Sequence, residues 1–386
     1  MISSVSQYIF AVKHLNMMSR NLAAKMIYPI FDDVFPDRPK CHIGNSVIVF
    51  EVICDGKKMA MRVYMCQHPN LRAIYGDKYY PSELLINTGN DNITMADVVL
   101  CDWHEGITLQ NKIEASCKSL ITMANLSCMF EEFAIKLLNE KWAHGDIKPE
   151  NIIFTNYGLC LIDFDATYRD GFTLGDCVEV GTRQFQHPQR DNRCFNKSID
   201  DYPIALIVTA LAALSLDKSI SKGIKNSDYL LIKPSLAVEG KDTMLAHIEN
   251  LFAEHGDVRH YRIAKLLHSS QPALSQLKNL MEATTRPITT TPERLSLEYC
   301  NGYWGFAEEG RYVIPPLYNL AFEFSEGLAL VQVGDVWHFI DVTGKIVITC
   351  GRGRGIKPFS GGTTRIVRED GEFTIYRDGR IEKINK

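Results

Sequence analysis

The sequence predicts an α+β fold with a small β-rich lobe, a larger helical lobe and a C-terminal all-β repeat domain. Three observations predict this order. Residues 43–65 alternate as strands do, residues from 199 to about 283 show helical periodicity, and the composition then changes to short aromatic and β-branched runs broken by glycines. We expect residues 41–283 to form one two-lobed domain and residues 298–386 a second domain.

The first part of the chain is expected to be a helical extension over residues 1–40. Its apolar residues recur at helical spacing: Val5, Tyr8, Ile9, Val12 and Leu15. Residues 43–65 then predict two strands joined by an Asp-Gly turn. Residues 83–87 and 97–103 are further strand candidates. Residues 119–141 return to helical periodicity.

The end of the chain is internally repetitive. A connector is predicted over residues 284–297, because Thr and Pro resist helix formation. Residues 303–314 match residues 336–348, with a weaker third copy at 373–384, so the period is close to 34 residues. Such a period indicates β-hairpin units that bury their aromatic side chains only against neighbouring units.

These repeats resemble the WG-repeat family, whose hallmark is a Trp-Gly-aromatic strand followed by an acidic-Gly turn. Trp304 and Gly305 keep the signature dipeptide, whereas Trp337 is followed by His338. The resemblance implies a β domain that recognises a protein partner. A basic stretch at residues 351–358 leaves a nucleic-acid or acidic partner as an alternative, but a solvated loop is the favoured interpretation and nucleic acid is not expected.

The composition narrows the class of protein. The 386 residues are 46% hydrophobic and 23% charged with a net charge of −4, which argues against long disorder. The 11 cysteines include no CxxC pair, so reduced thiols are expected rather than a disulfide framework. We recognise no secretory signal, and the apolar run at 204–214 is shorter than a membrane span. A cytoplasmic protein with no membrane partner is therefore expected.

The stretch HGDIKPENIIF, residues 144–154, carries the predicted chemistry. Phosphoryl transfer requires a carboxylate to orient the acceptor hydroxyl, a cation near the phosphate and oxygen ligands for magnesium. Asp146 can accept the hydroxyl proton, Lys148 can approach the phosphate and Asn151 can hold a metal ion. Asp163 follows the next strand and offers a second hard oxygen ligand for magnesium.

These residues resemble the catalytic motifs of the protein-kinase superfamily. The H-x-D-x-K-x-x-N loop is matched by His144, Asp146, Lys148 and Asn151. The D-F-G motif is matched by Asp163 and Phe164, with Asp165 in place of Gly. Residues 181–189 are similar to the end of a kinase activation segment. Asp200 is similar to the residue that anchors the catalytic loop from below.

The resemblance implies a two-lobed protein-kinase-like fold over about residues 40–280, with ATP and Mg²⁺ as cofactors. It assigns catalysis to Asp146 and Lys148, metal binding to Asn151 and Asp163, and structural anchoring to His144, Phe164 and Asp200. Asp165 is expected either to help hold magnesium or to be solvated. With the repeats, the chain resembles bacterial kinase-like proteins that carry WG repeats.

The nucleotide-binding half departs from the kinase pattern. Kinases cover the phosphates with a Gly-rich turn, but this chain keeps only Gly44, with Ser46 and Val49 where further glycines are expected. Ala60 takes the adenine-facing position, and Arg62 stands where Lys is typical. Arg keeps the charge but is longer and planar, so the exchange is not neutral.

Two further positions of the nucleotide site follow from the same resemblance. The adenine edge is expected at the backbone of Asp102 and Trp103, where an apolar strand ends. No glutamate partner for Arg62 is identified, because Glu83 lies in a segment that is predicted to be a strand.

The leading prediction is an ATP- and Mg²⁺-dependent protein serine/threonine kinase. Lys148 and the segment at 181–189 favour it over an aminoglycoside-type small-molecule phosphotransferase, which the His-Gly-Asp sequence also fits. A nucleotide-binding pseudokinase or scaffold is the alternative from another class, because Arg62 and the degenerate Gly-rich turn depart from the kinase pattern.

Overall fold

The computed structural model describes residues 4–89, 92–224, 228–283, 291–300, 302–308 and 311–384. The protein is mixed α and β with a strand-rich C-terminal region, as the sequence predicts. The first half of the predicted connector, residues 284–290, lies outside the described residues.

The N-terminal region combines short helices with an antiparallel sheet. Its helices are α1 (Val5–Lys13), α2 (Leu15–Met18) and α3 (Leu71–Tyr75). Its strands are β1 (Ile27–Pro29), β2 (Cys41–Ile43), β3 (Val47–Cys54), β4 (Lys57–Tyr64), β5 (Tyr79–Gly89) and β6 (Asn92–Asp102). They pair in the order β1-β3-β4-β6-β5, with β2 beside β3. The extension expected to be helical over residues 1–40 is therefore helical only in part, since β1 lies within it.

The Asp-Gly turn and Glu83 show how the sequence fixes this sheet. Asp55 and Gly56 both have positive φ, as a two-residue hairpin between β3 and β4 requires. Glu83 is buried on β5, and one of its carboxylate oxygens accepts hydrogen bonds from the backbone N–H of Arg20 (2.9 Å), Asn21 (2.7 Å) and Leu22 (2.7 Å). Glu83 thus lies in a strand, as predicted, and holds the N-terminal extension against the sheet.

The helical region follows and is built around one apolar helix. Its elements are β7 (Ile107–Thr108), α4 (Leu109–Ser116), α5 (Leu120–Asn139), β8 (Ile152–Thr155), β9 (Gly158–Leu161), α6 (Asp201–Leu216), α7 (Pro234–Val238), α8 (Thr243–His255), α9 (Val258–Leu266) and α10 (Leu277–Glu282). Helix α5 confirms the helix predicted at 119–141. Strands β7, β8 and β9 form a small sheet beside the N-terminal sheet.

Helix α6 forms the centre of this region. The stretch Lys197–Leu216 is long and apolar enough, by length and composition alone, to cross a membrane, but 83% of it is buried inside the protein. It packs against α5 and α9. Packing on nearly all sides explains why its sequence shows almost no polar face.

The C-terminal region consists of three antiparallel sheets in the described residues. They comprise β10 (Ser296–Cys300), β11 (Tyr303–Glu308) and β12 (Arg311–Tyr318), then β13 (Leu320–Ala321), β14 (Ala329–Val333), β15 (Val336–Ile340) and β16 (Ile346–Arg352), and finally β17 (Thr363–Arg368), β18 (Gly371–Tyr376) and β19 (Ile381–Lys383). The first strand begins at Ser296, inside the predicted connector. Trp337 is buried, and its indole N–H donates to the carbonyl of Gly353 at 3.2 Å, as expected for a core aromatic.

The repeats pack directly against the helical region. The ring of His338 lies 3.0 Å from the carbonyl oxygen of Ala253 on α8. A Cβ placed on Gly256 would come within 2.1 Å of the side chain of Ile346. One cluster of buried apolar side chains includes residues of both regions. The sequence suggests a separate module that is joined only by a connector. In the structure, the repeats instead share part of a common core with the helical region.

We predict that this contact is weakened by acid. Burial lowers the pKa of His338 to about 4, so the unfolded chain binds a proton more readily than the folded protein. The stabilisation from the neutral ring is complete above about pH 6.5 and is lost as the pH falls toward 4. The free energy of unfolding of wild type relative to His338→Asn should therefore fall by about 2–3 kcal/mol between pH 7 and pH 4.5.

Urea denaturation at several pH values measures this difference. The matched control is His247→Asn, an exposed histidine on α8. The prediction would be contradicted if the difference in free energy of unfolding between wild type and His247→Asn changed with pH as much as the difference between wild type and His338→Asn.

Candidate functional site

A cavity of about 680 Å³ lies between the N-terminal sheet and the helical region. Its size is typical of small-molecule sites. Six of the predicted site residues line it: Ala60, Arg62, Asp102, Trp103, Asp163 and Phe164. The structure thus places β4, the end of β6 and the expected metal ligand Asp163 around one cavity.

Gly44 and Ser46 are not among the residues that line this cavity. They lie in the turn between β2 and β3, where the N–H of Gly44 donates to the carbonyl of Val47 at 2.9 Å. His42 and Val49, on the strands themselves, form this part of the wall. The expected phosphate-binding turn is thus a simple hairpin turn, and the site at this edge is made by strand side chains.

Asp102 and Trp103 border the cavity where β6 ends. The carboxylate of Asp102 accepts hydrogen bonds from the ammonium groups of Lys57 at 2.6 Å and Lys78 at 3.0 Å. These two bonds lower the pKa of Asp102 to about 2. The ammonium group of Lys58 lies 4.3 Å from the centre of the Trp103 ring. Both side chains are therefore engaged with lysines. An adenine base would form its hydrogen bonds with the backbone at this place.

The HGD loop is held from the start of α6. Asp200 is buried, and its two carboxylate oxygens accept hydrogen bonds from the backbone N–H of His144 at 2.5 Å and Gly145 at 2.8 Å. The ring of His144 contacts the carbonyl of Ile162 at 2.9 Å and packs against Phe164. An anchoring role for His144, Phe164 and Asp200 requires contacts of this kind.

Gly145 occupies a position that a larger residue does not fit. Its φ is +85°, and a Cβ there would lie 2.0 Å from the carbonyl oxygen of Ala166. Its own carbonyl accepts hydrogen bonds from the guanidinium of Arg190 at 2.7 Å and the amide of Gln186 at 3.3 Å. Arg190 had no predicted role, and only its place just after the segment at 181–189 could have suggested one.

Asp146 lies at the centre of a hydrogen-bonded cluster. Its carboxylate accepts the backbone N–H of Thr182 at 2.5 Å and the side-chain amide of Asn151 at 3.0 Å. The ammonium group of Lys148 lies 3.1 Å from the same carboxylate and donates to the hydroxyl of Thr182 at 2.8 Å. Sequence reasoning gave a role in the site to three of these residues, whereas Thr182 was matched only as part of the segment at 181–189.

Arg62 has two carboxylate partners, which the sequence left open. Its Nη2 donates to Asp163 and to Asp165, each at 2.6 Å. Burial raises the pKa of Asp163, but Arg62 outweighs it and the pKa is lowered overall, so this carboxylate is ionised.

The expectation that Asp165 is solvated is wrong. Asp165 is buried, and its oxygens accept hydrogen bonds from Arg62, from the hydroxyl of Tyr64 at 2.8 Å and from the hydroxyl of Tyr75 at 2.7 Å. A role in holding magnesium remains a prediction, and it would require one of these bonds to be replaced.

A further acidic residue was missed by sequence reasoning. Partial desolvation and the neighbouring carboxylates of Asp165, Asp163 and Asp146 raise the pKa of Glu179, although the residue as a whole is exposed. It precedes the segment at 181–189, but no motif singled it out. Such a concentration of carboxylates favours cations, which is the electrostatic condition for a divalent metal ion.

Comparisons with known proteins bear on both halves of the chain. Residues 308–337 match the family described as WG containing repeat. A stretch of 147 residues, 37% of this chain, is 27% identical to a probable myosin light chain kinase of Dictyostelium discoideum. This match spans 28% of that relative's length. The repeat match lies in the strand-rich C-terminal region, and the similarity to the kinase is weak.

We predict that Gly145→Ala disrupts the HGD loop. The methyl group would collide with the carbonyl of Ala166, so the free energy of unfolding should fall by more than about 3 kcal/mol. The matched control is Gly171→Ala, because Gly171 has a similar φ of +91° but no atom within 4 Å of the added Cβ. Its cost should be only about 1–2 kcal/mol. Equal losses in the two variants, measured by urea denaturation, would contradict the steric explanation.

Proposed function

We propose that the protein is an ATP- and Mg²⁺-dependent kinase that transfers phosphate to a serine or threonine of a protein. One observation carries the proposal: Asp146, Lys148, Asn151 and Thr182 form a single hydrogen-bonded cluster. The adjoining cavity, which Asp163 lines, and the weak similarity to a probable kinase support it.

The cluster provides the groups that phosphoryl transfer needs. The carboxylate of Asp146 orients the acceptor hydroxyl and takes its proton as the new oxygen–phosphorus bond forms, while the bond between the γ-phosphorus and its bridging oxygen breaks and ADP leaves with that oxygen. Lys148, already within 3.1 Å of that carboxylate, places a positive charge beside the transferred group. Thr182 holds both side chains in register, because its backbone N–H binds Asp146 and its hydroxyl binds Lys148.

Asn151 and Asp163 fit the requirements of a magnesium ligand pair. The amide nitrogen of Asn151 donates to Asp146, at its backbone carbonyl (2.9 Å) and its carboxylate (3.0 Å), which leaves the amide oxygen for a metal ion. Within the described residues, no group of three His, Cys, Asp or Glu side chains forms a metal cluster. Phosphate oxygens and water would complete the coordination, as is usual for Mg²⁺. The ion would neutralise the phosphate charge.

A nucleotide-binding pseudokinase or scaffold is the second candidate. The contact that favours it is the bond between Arg62 and Asp163, because it occupies an oxygen that a metal ion would use. A small-molecule phosphotransferase of the aminoglycoside type is less well supported. The bond from Lys148 to Thr182 involves the segment at 181–189, which resembles the activation segment that those enzymes lack.

We also propose that the repeats bind a protein substrate or partner and that the protein is cytoplasmic. The match to the WG containing repeat family at 308–337 supports a repeat surface. The eleven cysteines, all within the described residues, form no disulfide bond, which suits a reducing compartment. A membrane or nucleic-acid partner is not part of the proposal.

We predict that Asp146→Asn abolishes turnover but not binding. Losing the general base should lower kcat for ATP-dependent phosphorylation at least ~100-fold, while the Kd for ATP changes by less than about threefold, since Asp146 is not among the residues that line the cavity. Autophosphorylation and ATP hydrolysis in Mg²⁺ measure the first quantity, and calorimetric titration the second. The control is Asp170→Asn, an exposed residue.

Equal turnover by wild type and Asp146→Asn would remove the kinase proposal. No turnover by wild type, together with a rise in Tm on adding ATP, would favour the nucleotide-binding pseudokinase.

A further inference from the structure

Arg62 is held at the cavity wall by more than one contact. It is only 6% exposed on β4, and a buried guanidinium is unfavourable unless carboxylates compensate its charge. Its Nη2 donates to Asp163 and to Asp165, each at 2.6 Å, and its Nε donates to the hydroxyl of Tyr64 at 3.2 Å. These bonds fix the plane of the guanidinium.

Asp165 is itself fixed by neighbours from the N-terminal region. One of its oxygens accepts hydrogen bonds from Tyr64 at 2.8 Å and from Tyr75, the last residue of α3, at 2.7 Å. The ring of His68 lies 3.0 Å from its backbone carbonyl oxygen. Both carboxylate oxygens are therefore used inside the protein, and the connection from β4 to α3 is tied to this residue.

The two carboxylates that bind Arg62 differ in exposure. The side chain of Asp163 is 39% exposed, whereas that of Asp165 is 7% exposed. Asp163 can therefore turn toward a metal ion, but Asp165 would lose three hydrogen bonds if it did so. When Asp163 leaves Arg62, Asp165 still compensates its charge.

One nitrogen of Arg62 is left for a ligand. Arg62 lines the cavity, and among the described residues its Nη1 makes no hydrogen bond. A guanidinium held at Nε and Nη2 presents Nη1 in a fixed direction, and phosphate oxygens are the acceptors that such a planar group binds best.

We infer that Asp165 is a positioning residue that holds Arg62 in place to bind the phosphates of the nucleotide while Asp163 turns to the metal ion. The inference rests on the proposed function, because it requires a nucleotide in the cavity. Asp165 acts through Arg62 and contacts neither nucleotide nor metal. The sequence suggested a bond between Asp165 and magnesium as one possibility. In this inference Asp165 binds Arg62 instead.

The test compares ATP affinity of the full chain with and without Mg²⁺. Calorimetric titration with ATP, in excess Mg²⁺ and in excess EDTA, gives the Kd of wild type, Asp165→Asn, Arg62→Met and the double variant. We expect Asp165→Asn to raise the Kd at least ~10-fold in excess Mg²⁺, because a neutral amide no longer fixes the guanidinium, and by less in EDTA, where Asp163 stays bonded to Arg62. The double variant should bind no more weakly than Arg62→Met alone, which is the signature of one shared interaction.

A gentler variant protects the test against misfolding. Tyr75→Phe removes a single hydrogen bond to Asp165 and should raise the Kd about threefold. The matched control is Tyr79→Phe, since the Tyr79 hydroxyl donates to the carboxylate of Asp97 at 2.9 Å in the same sheet and is not among the groups that bond Asp165 or Arg62. Its Kd should stay within about 1.5-fold of wild type.

Several outcomes would overturn the inference. An effect of Asp165→Asn that persists in the Arg62→Met background would show that Asp165 does not act through Arg62, and such a persistent effect seen only in Mg²⁺ would make Asp165 a metal ligand. If Asp165→Asn does not fold, an unchanged Kd for Tyr75→Phe overturns it. If wild type and Asp165→Asn bind ATP with equal Kd, this inference alone is removed. Wild type that binds no ATP in either condition would remove the proposed function with it.

Discussion

The carboxylate of Asp200 is the contact on which the arrangement of the candidate site depends. It accepts the backbone N–H groups of His144 and Gly145, and the Gly145 carbonyl on the opposite side is bound by Arg190. Burial raises the pKa of Asp200, and these donors and the nearby guanidinium of Arg190 oppose part of that rise. Because the HGD loop is held by Asp200 and by Arg190, it presents Asp146 in one orientation. The contacts of Asp146 with Lys148, Asn151 and Thr182 depend on that orientation.

A second constraint is the balance of charge around the cavity. Carboxylates in and beside the cavity are paired with cations: Asp163 and Asp165 with Arg62, Asp146 with Lys148, and Asp102 with Lys57 and Lys78. Arg62 joins the N-terminal sheet to the segment that follows β9, so these pairs also couple the two walls of the cavity.

Much of the fold could be predicted because its signals are local. The helix at 119–141, the strands around the Asp55 turn and the repeats of the C-terminal region follow from periodicity and turn chemistry, which depend on neighbours in sequence. The contact between the repeats and α8 could not be predicted in this way. His338 was noted only as a departure from the repeat signature, yet its ring bonds the backbone of Ala253, across 85 residues of chain.

For the site, the sequence by itself determined the order and spacing of the residues that are predicted to carry chemistry, since the spacing of Asp146, Lys148, Asn151 and Asp163 is a local property. Only the tertiary structure decided which charges pair. Asp165 became a buried partner of Arg62 rather than a solvated residue, and Gly44 fell outside the cavity lining. The physical reason is that an ion pair depends on distances across the fold and on exclusion of water, which arise only when distant segments pack together.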